Sequence, residues 1–426
     1  MLALEIFGAF IAIALAGVPL VYAILIATVG AIWVKGFDYP LTTIFLSYIS
    51  GVEPFLLIAV PLFIFAGELL SHGGVGRRIV NFTRTMVGFL PGGLGIVAVT
   101  SCLMFGGVSG SALADTAAIG SLVVPAMVGR GYGRPFIAAL LAVAGTLALL
   151  MPLSIPFLVF AFMSGVSMRQ LGMAGIIPAI VLAVVLCLVC VWYGKKTGCD
   201  NGSTRASRAE MWAAFKDAGP ALVMPIIIVG GIWSGLFTPT EAAAVSVVYG
   251  LVVSLVLYRD ITVRDLPAML LTALRTSAVV MLIVGATGAL AWLVTAEQVA
   301  VQLAAWVTKV ATAPWQFLLL VNIALLLLGM FIEPLPAMLL TAPLLLPIAQ
   351  AFHINLVHFG VVVTANLAIA LVHPPAGPAL FIAAKLAQVR IGAATRALLP
   401  LLAANLIVLL LITYIEPLSL LLVRHF

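Results

Sequence analysis

The chain has 426 residues, of which 64% are hydrophobic and only 8% charged, with a formal net charge of +6. A soluble protein carries about a quarter charged residues, so this composition excludes a soluble domain with a polar surface. The basic residues form short clusters between apolar runs, which is typical of membrane topology and argues against nucleic-acid binding.

The predicted elements begin with an apolar run over residues 2–34, which no Lys or Arg precedes. We therefore expect a retained membrane span and not a cleaved signal peptide. Further runs follow along the chain, several with the roughly 20 residues needed to cross about 30 Å of hydrocarbon. They cover residues 55–70, 137–163, 176–193, 221–236, 251–258, 278–294, 317–332, 356–372 and 397–423. The sequence predicts an all-α polytopic membrane protein embedded in the lipid bilayer.

A polar, basic stretch over residues 194–217 divides the chain, and we expect it to face the cytoplasm. The two halves share a proline spacing: 152 − 125 = 27 and 374 − 347 = 27. This spacing predicts an internal repeat.

Each half also contains two interruptions of its apolar pattern. The first half is interrupted at residues 106–111 and 151–156, the second at 333–336 and 373–378. Proline and glycine break helices, and in hydrocarbon the freed backbone groups must be buried in protein or line a wet cavity. We interpret the first interruption of each half as a re-entrant hairpin tip and the second as an unwound helix centre. Such paired breaks indicate a transporter site near the bilayer midplane.

Charge around the two hairpins predicts opposite orientations. The first hairpin is flanked by arginines on both sides, whereas no Lys or Arg lies between Lys309 and Lys385. The first hairpin should enter from the cytoplasm and the second from outside, as inverted repeats of an alternating-access carrier do. The predicted division comprises scaffold helices (1–90), a first transport segment (91–175), the cytoplasmic loop with further scaffold (176–290), a second transport segment (291–395) and a C-terminal membrane helix (396–426).

The first tip offers candidate ion ligands. Ser109, Gly110 and Ser111 supply hydroxyl and accessible carbonyl oxygens at a helix break, which suits Na⁺. Alternatively, these small residues only permit close helix packing. Asp115, about one turn later, could cap the broken helix or tune the cation site.

The second half offers substrate or gating candidates in Glu333 and Asn366, in addition to Asp115. His373, about two turns after Asn366, should lie on the same side of the helix. Its imidazole could bind a carboxylate, titrate near neutral pH or cap the broken end.

Residues 238–241, Thr-Pro-Thr-Glu, predict a helix start with a capping box. No nucleotide or metal signature is present in the sequence, so we expect a gradient to drive transport. An enzyme alternative is an intramembrane serine protease, since residues 107–110 match GxSG and His373 could act as its base. That alternative requires Ser109 and His373 to lie within hydrogen-bond reach.

The chain resembles the large permease subunit of tripartite ATP-independent periplasmic (TRAP) transporters. The resemblance covers nearly the whole chain and rests on residues 61–68, 91–94, 108–116, 130–132, 237–243 and 358–360. It implies an elevator carrier in the bacterial inner membrane that imports a small carboxylate with Na⁺. It also implies a periplasmic substrate-binding protein and a small four-helix membrane subunit as partners. A stand-alone Na⁺- or H⁺-coupled carrier or antiporter of the same superfamily is the alternative.

The sequence departs from the family pattern at the breaks. Ala148-Leu149 and Pro152-Leu153 stand where a Gly-Pro pair and two prolines are usual, and Ala370 and His373 replace Gly and Thr. Na⁺ and H⁺ therefore both stay open as coupling ions. We expect no catalytic residue, no cofactor and no metal beyond Na⁺. The candidate Na⁺ residues are Ser109, Gly110, Ser111, Thr146, Pro152, Ser154, Gly329, Ala370, His373 and Gly377.

Overall fold

A computed structural model describes residues 2–36, 39–200, 205–374 and 377–425 of the chain, and these residues form helices and connecting loops without strands. The first half contains α1 (Leu2–Leu15), α2 (Leu20–Lys35), α3 (Leu41–Val52), α4 (Ala59–His72), α5 (Val75–Val87), α6 (Gly93–Ser109), α7 (Ala112–Gly129), α8 (Arg134–Gly145), α9 (Ile155–Ser164) and α10 (Met168–Thr197). The second half contains α11 (Arg208–Trp233), α12 (Pro239–Leu251), α13 (Leu266–Ala296), α14 (Val299–Val310), α15 (Pro314–Gly329), α16 (Pro334–Ala351), α17 (Leu356–Ala370), α18 (Pro378–Leu386), α19 (Ile391–Tyr414) and α20 (Pro417–His425).

Within the described residues, nine helical stretches are long and apolar enough to cross a membrane. The polytopic all-α fold predicted from the sequence is thereby confirmed. The predicted first span is not one helix, because α1 ends at Leu15 and α2 begins at Leu20. Gly17 adopts a φ of +87°, a conformation open to glycine, and Pro19 lacks the backbone donor that a continuous helix needs.

The helix boundaries repeat between the halves. Helices α7 and α16 start 334 − 112 = 222 residues apart and end 351 − 129 = 222 apart, and α8 and α17 start 356 − 134 = 222 apart. The paired prolines have the same separation. The structure thus bears out the internal repeat, in which α6–α7 and α15–α16 are the hairpins.

The broken helices lie at the centre of the molecule. A 3-10 turn, Thr146–Leu150, continues α8 to the first break, and every residue of it is buried. The whole of α17 from Val357 to Ala370 is buried as well. Hairpin helices and α10 pack around this centre. Helices α3, α4 and α5 pair with α13, α12 and α11, and α4 and α5 also pack on the first hairpin.

The helix start at residues 238–241 has the expected capping box. The Glu241 amide donates to Thr238 Oγ1 at 3.3 Å, and the Thr238 amide donates to Glu241 Oε2 at 2.8 Å. These bonds satisfy amides that the first turn of α12 leaves without intrahelical partners.

Candidate functional site

The first hairpin tip is a tight turn between α6 and α7. Gly110 follows α6 with a φ of +60°, and Ser111 caps α7 by accepting a hydrogen bond from the Ala114 amide. A methyl group on Gly110 would lie 2.6 Å from the Leu153 carbonyl oxygen and 3.2 Å from Ser154 Cα. The tip therefore rests directly on the first helix break.

Asp115 is fully buried beneath this tip. Its Oδ1 accepts a hydrogen bond from the Ser109 hydroxyl, and the Ser111 amide donates to Ser109 Oγ at 3.3 Å. Asp115 Oδ2 has no hydrogen-bond partner among the described residues. The helix cap that the sequence left open for Asp115 is provided by Ser111, and the carboxylate instead holds Ser109.

The first break spans residues 151–154, between the 3-10 turn and α9. Ser154 is buried and caps α9 by accepting from the Phe157 amide at 3.3 Å. Pro152 packs against α10, where a methyl group on Gly172 would lie 3.2 Å from Pro152 Cβ. The Thr146 hydroxyl donates to the Val143 carbonyl oxygen at 2.7 Å, within its own helix.

The second tip repeats one contact of the first. A methyl group on Gly106 would lie 2.7 Å from Ala148 Cα, and one on Gly329 would lie 2.4 Å from Ala370 Cβ. The alanines are 370 − 148 = 222 residues apart, but the glycines are 329 − 106 = 223 apart. The first tip is therefore one residue longer.

A cavity of about 200 Å³ adjoins the second tip and is lined by Gly329, Phe331, Ile332, Glu333, Pro334, Ala370, Leu371 and Pro378. Glu333 is exposed at the start of α16. It also borders cavities of about 870 and 590 Å³ toward the N-terminal helices. The gating candidate of the second half therefore faces open space, unlike Asp115.

One prediction about the second break is wrong. Helix α17 ends at Ala370, so Asn366 and His373 do not share a side of one helix. His373 Nδ1 donates to the Pro374 carbonyl oxygen at 2.6 Å. The chain returns at Gly377, which approaches the Val372 backbone so closely that a methyl group would lie 2.7 Å from the Val372 carbonyl carbon. Pro374 has no backbone amide to donate to the Ala370 carbonyl oxygen, so continuing the helix past Ala370 would cost a hydrogen bond.

Asn366 belongs to a buried polar network that sequence reasoning missed. Its amide donates to Asn322 Oδ1 at 2.8 Å, and Asn322 Nδ2 donates to Thr413 Oγ1 at 2.9 Å. His358 Nε2 donates to the Thr413 carbonyl oxygen at 3.2 Å. These bonds join α15, α17 and α19. The available sequence signal was an amide, Asn322, inside an apolar run.

Ser109 and His373 do not form the pair that a serine protease would need. In the described part of the chain, the Ser109 hydroxyl bonds with Asp115 and the Ser111 amide, and the His373 ring bonds with Pro374.

Duplicated hairpins whose tips rest on the breaks of two buried helices, in a protein with many membrane spans, define the class of secondary transporters. Residues 1–418 match the family described as the tripartite ATP-independent periplasmic transporter, DctM component. The chain belongs to this family, and it is a large permease subunit of the inner membrane, a component of a secondary transporter rather than a member of an enzyme family.

Two curated relatives extend over nearly the whole chain. The C4-dicarboxylate TRAP transporter large permease protein DctM of Rhodobacter capsulatus is 36% identical, with 99% of this chain and 98% of the relative covered. The sialic acid TRAP transporter large permease protein SiaM of Vibrio cholerae is 38% identical, with 89% and 88% covered. The crystal structure of the Alcanivorax borkumensis YdaH transporter shares the fold with a TM-score of 0.55 at 14% identity, covering 90% of each chain.

Proposed function

We propose that this subunit imports a small carboxylate coupled to Na⁺, and that the first hairpin tip with the first helix break holds the main cation. The observation that carries this proposal is the tip of Ser109, Gly110 and Ser111, where Gly110 packs on Leu153 and Ser154 and the buried Asp115 lies behind it.

Helix ends favour a cation at this place. Helix α6 ends at Ser109 and the 3-10 turn ends at Leu150, and the last carbonyls of a helix carry partial negative charge without intrahelical partners. Two such ends meet where the tip rests on the break. Hard oxygen ligands of this kind suit Na⁺.

Asp115 strengthens the attraction. The carboxyl is fully buried, and none of the described ion pairs involves it. An uncompensated carboxylate in a low-dielectric interior is costly, so a neighbouring cation would stabilise its ionised form. Asp115 accepts the Ser109 hydrogen and the Ser111 amide occupies one lone pair of Ser109 Oγ, so the other lone pair stays available to a cation.

The second tip supports at most a weaker site. The methyl group of Ala370 occupies the space beside Gly329 that a closely approaching cation would use. His373 offers a bulky imidazole in place of a small hydroxyl, and its protonated form would repel Na⁺ at close range. Proton coupling through His373 is the alternative for this half.

A carboxylate substrate fits the opposite helix ends. Helices α7, α9, α16 and α18 all begin at the tips or breaks, and helix N-termini carry partial positive charge. The two relatives above are named for C4-dicarboxylates and sialic acid, which are carboxylic acids. We expect Glu333 to act in gating, since its own charge would repel an anion.

The mechanism we propose is an elevator movement of segments 91–175 and 291–395, together with the rest of α10, which packs on α6 and α17, relative to the other helices. The name of the family specifies a tripartite system. We accordingly expect this chain to work with a small four-helix membrane subunit and a periplasmic substrate-binding protein.

Uptake by the reconstituted three-component system tests this function. Liposomes with an imposed Na⁺ gradient, then an H⁺ gradient, should take up labelled carboxylates only in the first case, and a sulfonate of matched size should compete poorly. Asp115→Asn should raise the Na⁺ concentration for half-maximal uptake by about tenfold, as expected for a charge removed from a buried site. Asp217→Asn, in a half-exposed ion pair with Arg78 far from the tip in sequence, should leave it unchanged.

Two outcomes would change the proposal. Uptake driven by H⁺ and indifferent to Na⁺ would overturn the Na⁺ assignment. Robust uptake by the purified chain alone would favour the stand-alone carrier or antiporter over the tripartite system.

A further inference from the structure

Asp200 lies just beyond α10, in a loop that the sequence marks only as polar. Its side chain is 1% exposed, and its backbone adopts a φ of +64°, which is uncommon for a residue with a side chain. A buried carboxylate in a strained loop position persists only where surrounding contacts stabilise it. These contacts reach both arms of the first hairpin.

The carboxylate bonds both arms of the hairpin at their open end. Oδ2 accepts from the Leu94 amide in the first turn of α6 at 2.8 Å and from the Tyr132 hydroxyl beyond α7 at 3.2 Å. Oδ1 accepts from Arg130 Nη1 at 3.3 Å. The Asp200 amide also donates to the Arg130 carbonyl oxygen at 3.4 Å. A negative charge beside the first amides of α6 is further favoured by the helix dipole.

The second hairpin is closed differently at its open end. There the rings of Phe317 and Phe352 stack at 5.2 Å between centroids. Residues 310–384 contain no Lys or Arg, so no Arg–carboxylate clamp of this kind is available within that stretch. The tip of this hairpin also borders three cavities through Glu333.

We propose that Asp200 is a positioning residue that clamps the arms of the first hairpin to each other and to α10. With its base clamped and its tip resting on the break, the first hairpin stays closed during transport. The second hairpin, closed by apolar stacking, is the one that opens. This inference rests on the carrier class of the family and not on Na⁺ coupling.

Cys102 provides a native reporter, because it is a free thiol with 0% exposure on α6 inside the clamped hairpin. The full-length chain in lipid nanodiscs, with Cys187, Cys190 and Cys199 replaced by Ala, is treated with N-ethylmaleimide, and alkylation is followed by mass spectrometry. The matched reporter is Leu325→Cys on α15, 1% exposed, in a chain that also carries Cys102→Ala.

We expect Cys102 to react at least about tenfold more slowly than Cys introduced at 325, since local opening governs reaction of buried groups. Asp200→Ala should increase the alkylation rate of Cys102 by about tenfold. Asp200→Asn should increase it by less, because the amide keeps one acceptor oxygen. Asp260→Ala is the control, since Asp260 forms ion pairs with Arg77 and Arg78 of α5 and none of its described ion pairs is with the hairpin. It should leave Cys102 unchanged.

An unchanged Cys102 rate in Asp200→Ala, or an equal acceleration by Asp260→Ala, would overturn the clamp. If Asp200→Ala does not yield folded protein, Asp200→Asn is the test. The clamp then requires that Cys102 is alkylated faster in Asp200→Asn than in the native background, while the alkylation rate at position 325 stays unchanged. Equal rates at Cys102 and position 325 in the native background would overturn the assignment of the second hairpin as the one that opens. None of these readouts depends on Na⁺ or substrate, so the result is separate from the proposed coupling.

Discussion

In both halves of the molecule a glycine near the end of the first hairpin arm packs on the alanine that precedes a helix break. Gly106 meets Ala148 and Gly329 meets Ala370. Beyond this shared contact the tips differ. The first continues through Gly107-Val108-Ser109-Gly110 and is backed by a buried carboxylate, whereas the second continues through Met330-Phe331-Ile332 to the exposed Glu333.

This difference shows which part of a duplicated site is free to diverge. The packing of an arm on a break keeps a broken helix buried in both halves, and a glycine–alanine contact is present in each. The oxygen ligands at the tip are not required for that packing. They can therefore differ between the halves, which is the basis for the asymmetric cation sites that we propose.

The largest effect is expected for Gly110→Ala, in the turn of the first tip. A left-handed backbone costs a residue with a side chain about 1–2 kcal/mol, and the new methyl group would lie 2.6 Å from the Leu153 carbonyl oxygen. Uptake should fall by at least about tenfold. Gly235→Ala, with a φ of +75° and nothing within 4 Å, is the matched control for backbone strain alone. Similar losses in both variants would show that the tip contact is unimportant.

A second substitution tests whether the shared contact is equivalent in the two halves. Gly329→Ala should strongly reduce uptake, and adding Ala370→Gly should restore it, because the clashing atom is the Ala370 methyl carbon. In the first half Gly106→Ala should not be rescued by Ala148→Gly, because there the nearest atom is Ala148 Cα, 2.7 Å away. If the Ala→Gly substitution restores the initial uptake rate in both halves, the closer backbone packing of Gly106 on Ala148 in the first half is contradicted.

Restoring family-like residues at the second break should sharpen the cation asymmetry. Ala370→Gly with His373→Thr frees space beside Gly329 and supplies a small hydroxyl. We expect the Hill coefficient for Na⁺ to rise and half-maximal uptake to need about two- to fivefold less Na⁺. A Hill coefficient that stays at the native value would refute a defective second site.

The smallest effect on transport is expected for cysteines that only report sidedness. Gly129→Cys after the first hairpin and His353→Cys after the second replace exposed residues, so uptake should stay near normal. A membrane-impermeant maleimide should label position 129 only from the cytoplasm and position 353 only from outside. Labelling of both positions from the same side would remove the inverted orientation on which the comparison of two opposed hairpins is built.

Local backbone chemistry determined much of this protein from the sequence alone. Proline spacing predicted the repeat of 222 residues that the helix boundaries confirm, since 356 − 134 = 222. Glycine and proline likewise predicted the first tip and both breaks, because they restrict or free the backbone wherever they occur. The second tip was predicted at residues 333–336, but α16 begins at Pro334, so the turn lies at residues 330–333. Hydrophobic run length predicted the polytopic fold.

Only the tertiary structure decided which side chains meet. Asp115 holds Ser109 rather than capping α7, Asn366 bonds Asn322 from 366 − 322 = 44 residues away, and Asp200 reaches Leu94 from 200 − 94 = 106 residues away. Side-chain partners of this kind depend on how distant helices pack, and several packings satisfy the same hydrophobic pattern. The pattern of the sequence therefore specifies where the helices break, and the packing specifies what those breaks can bind.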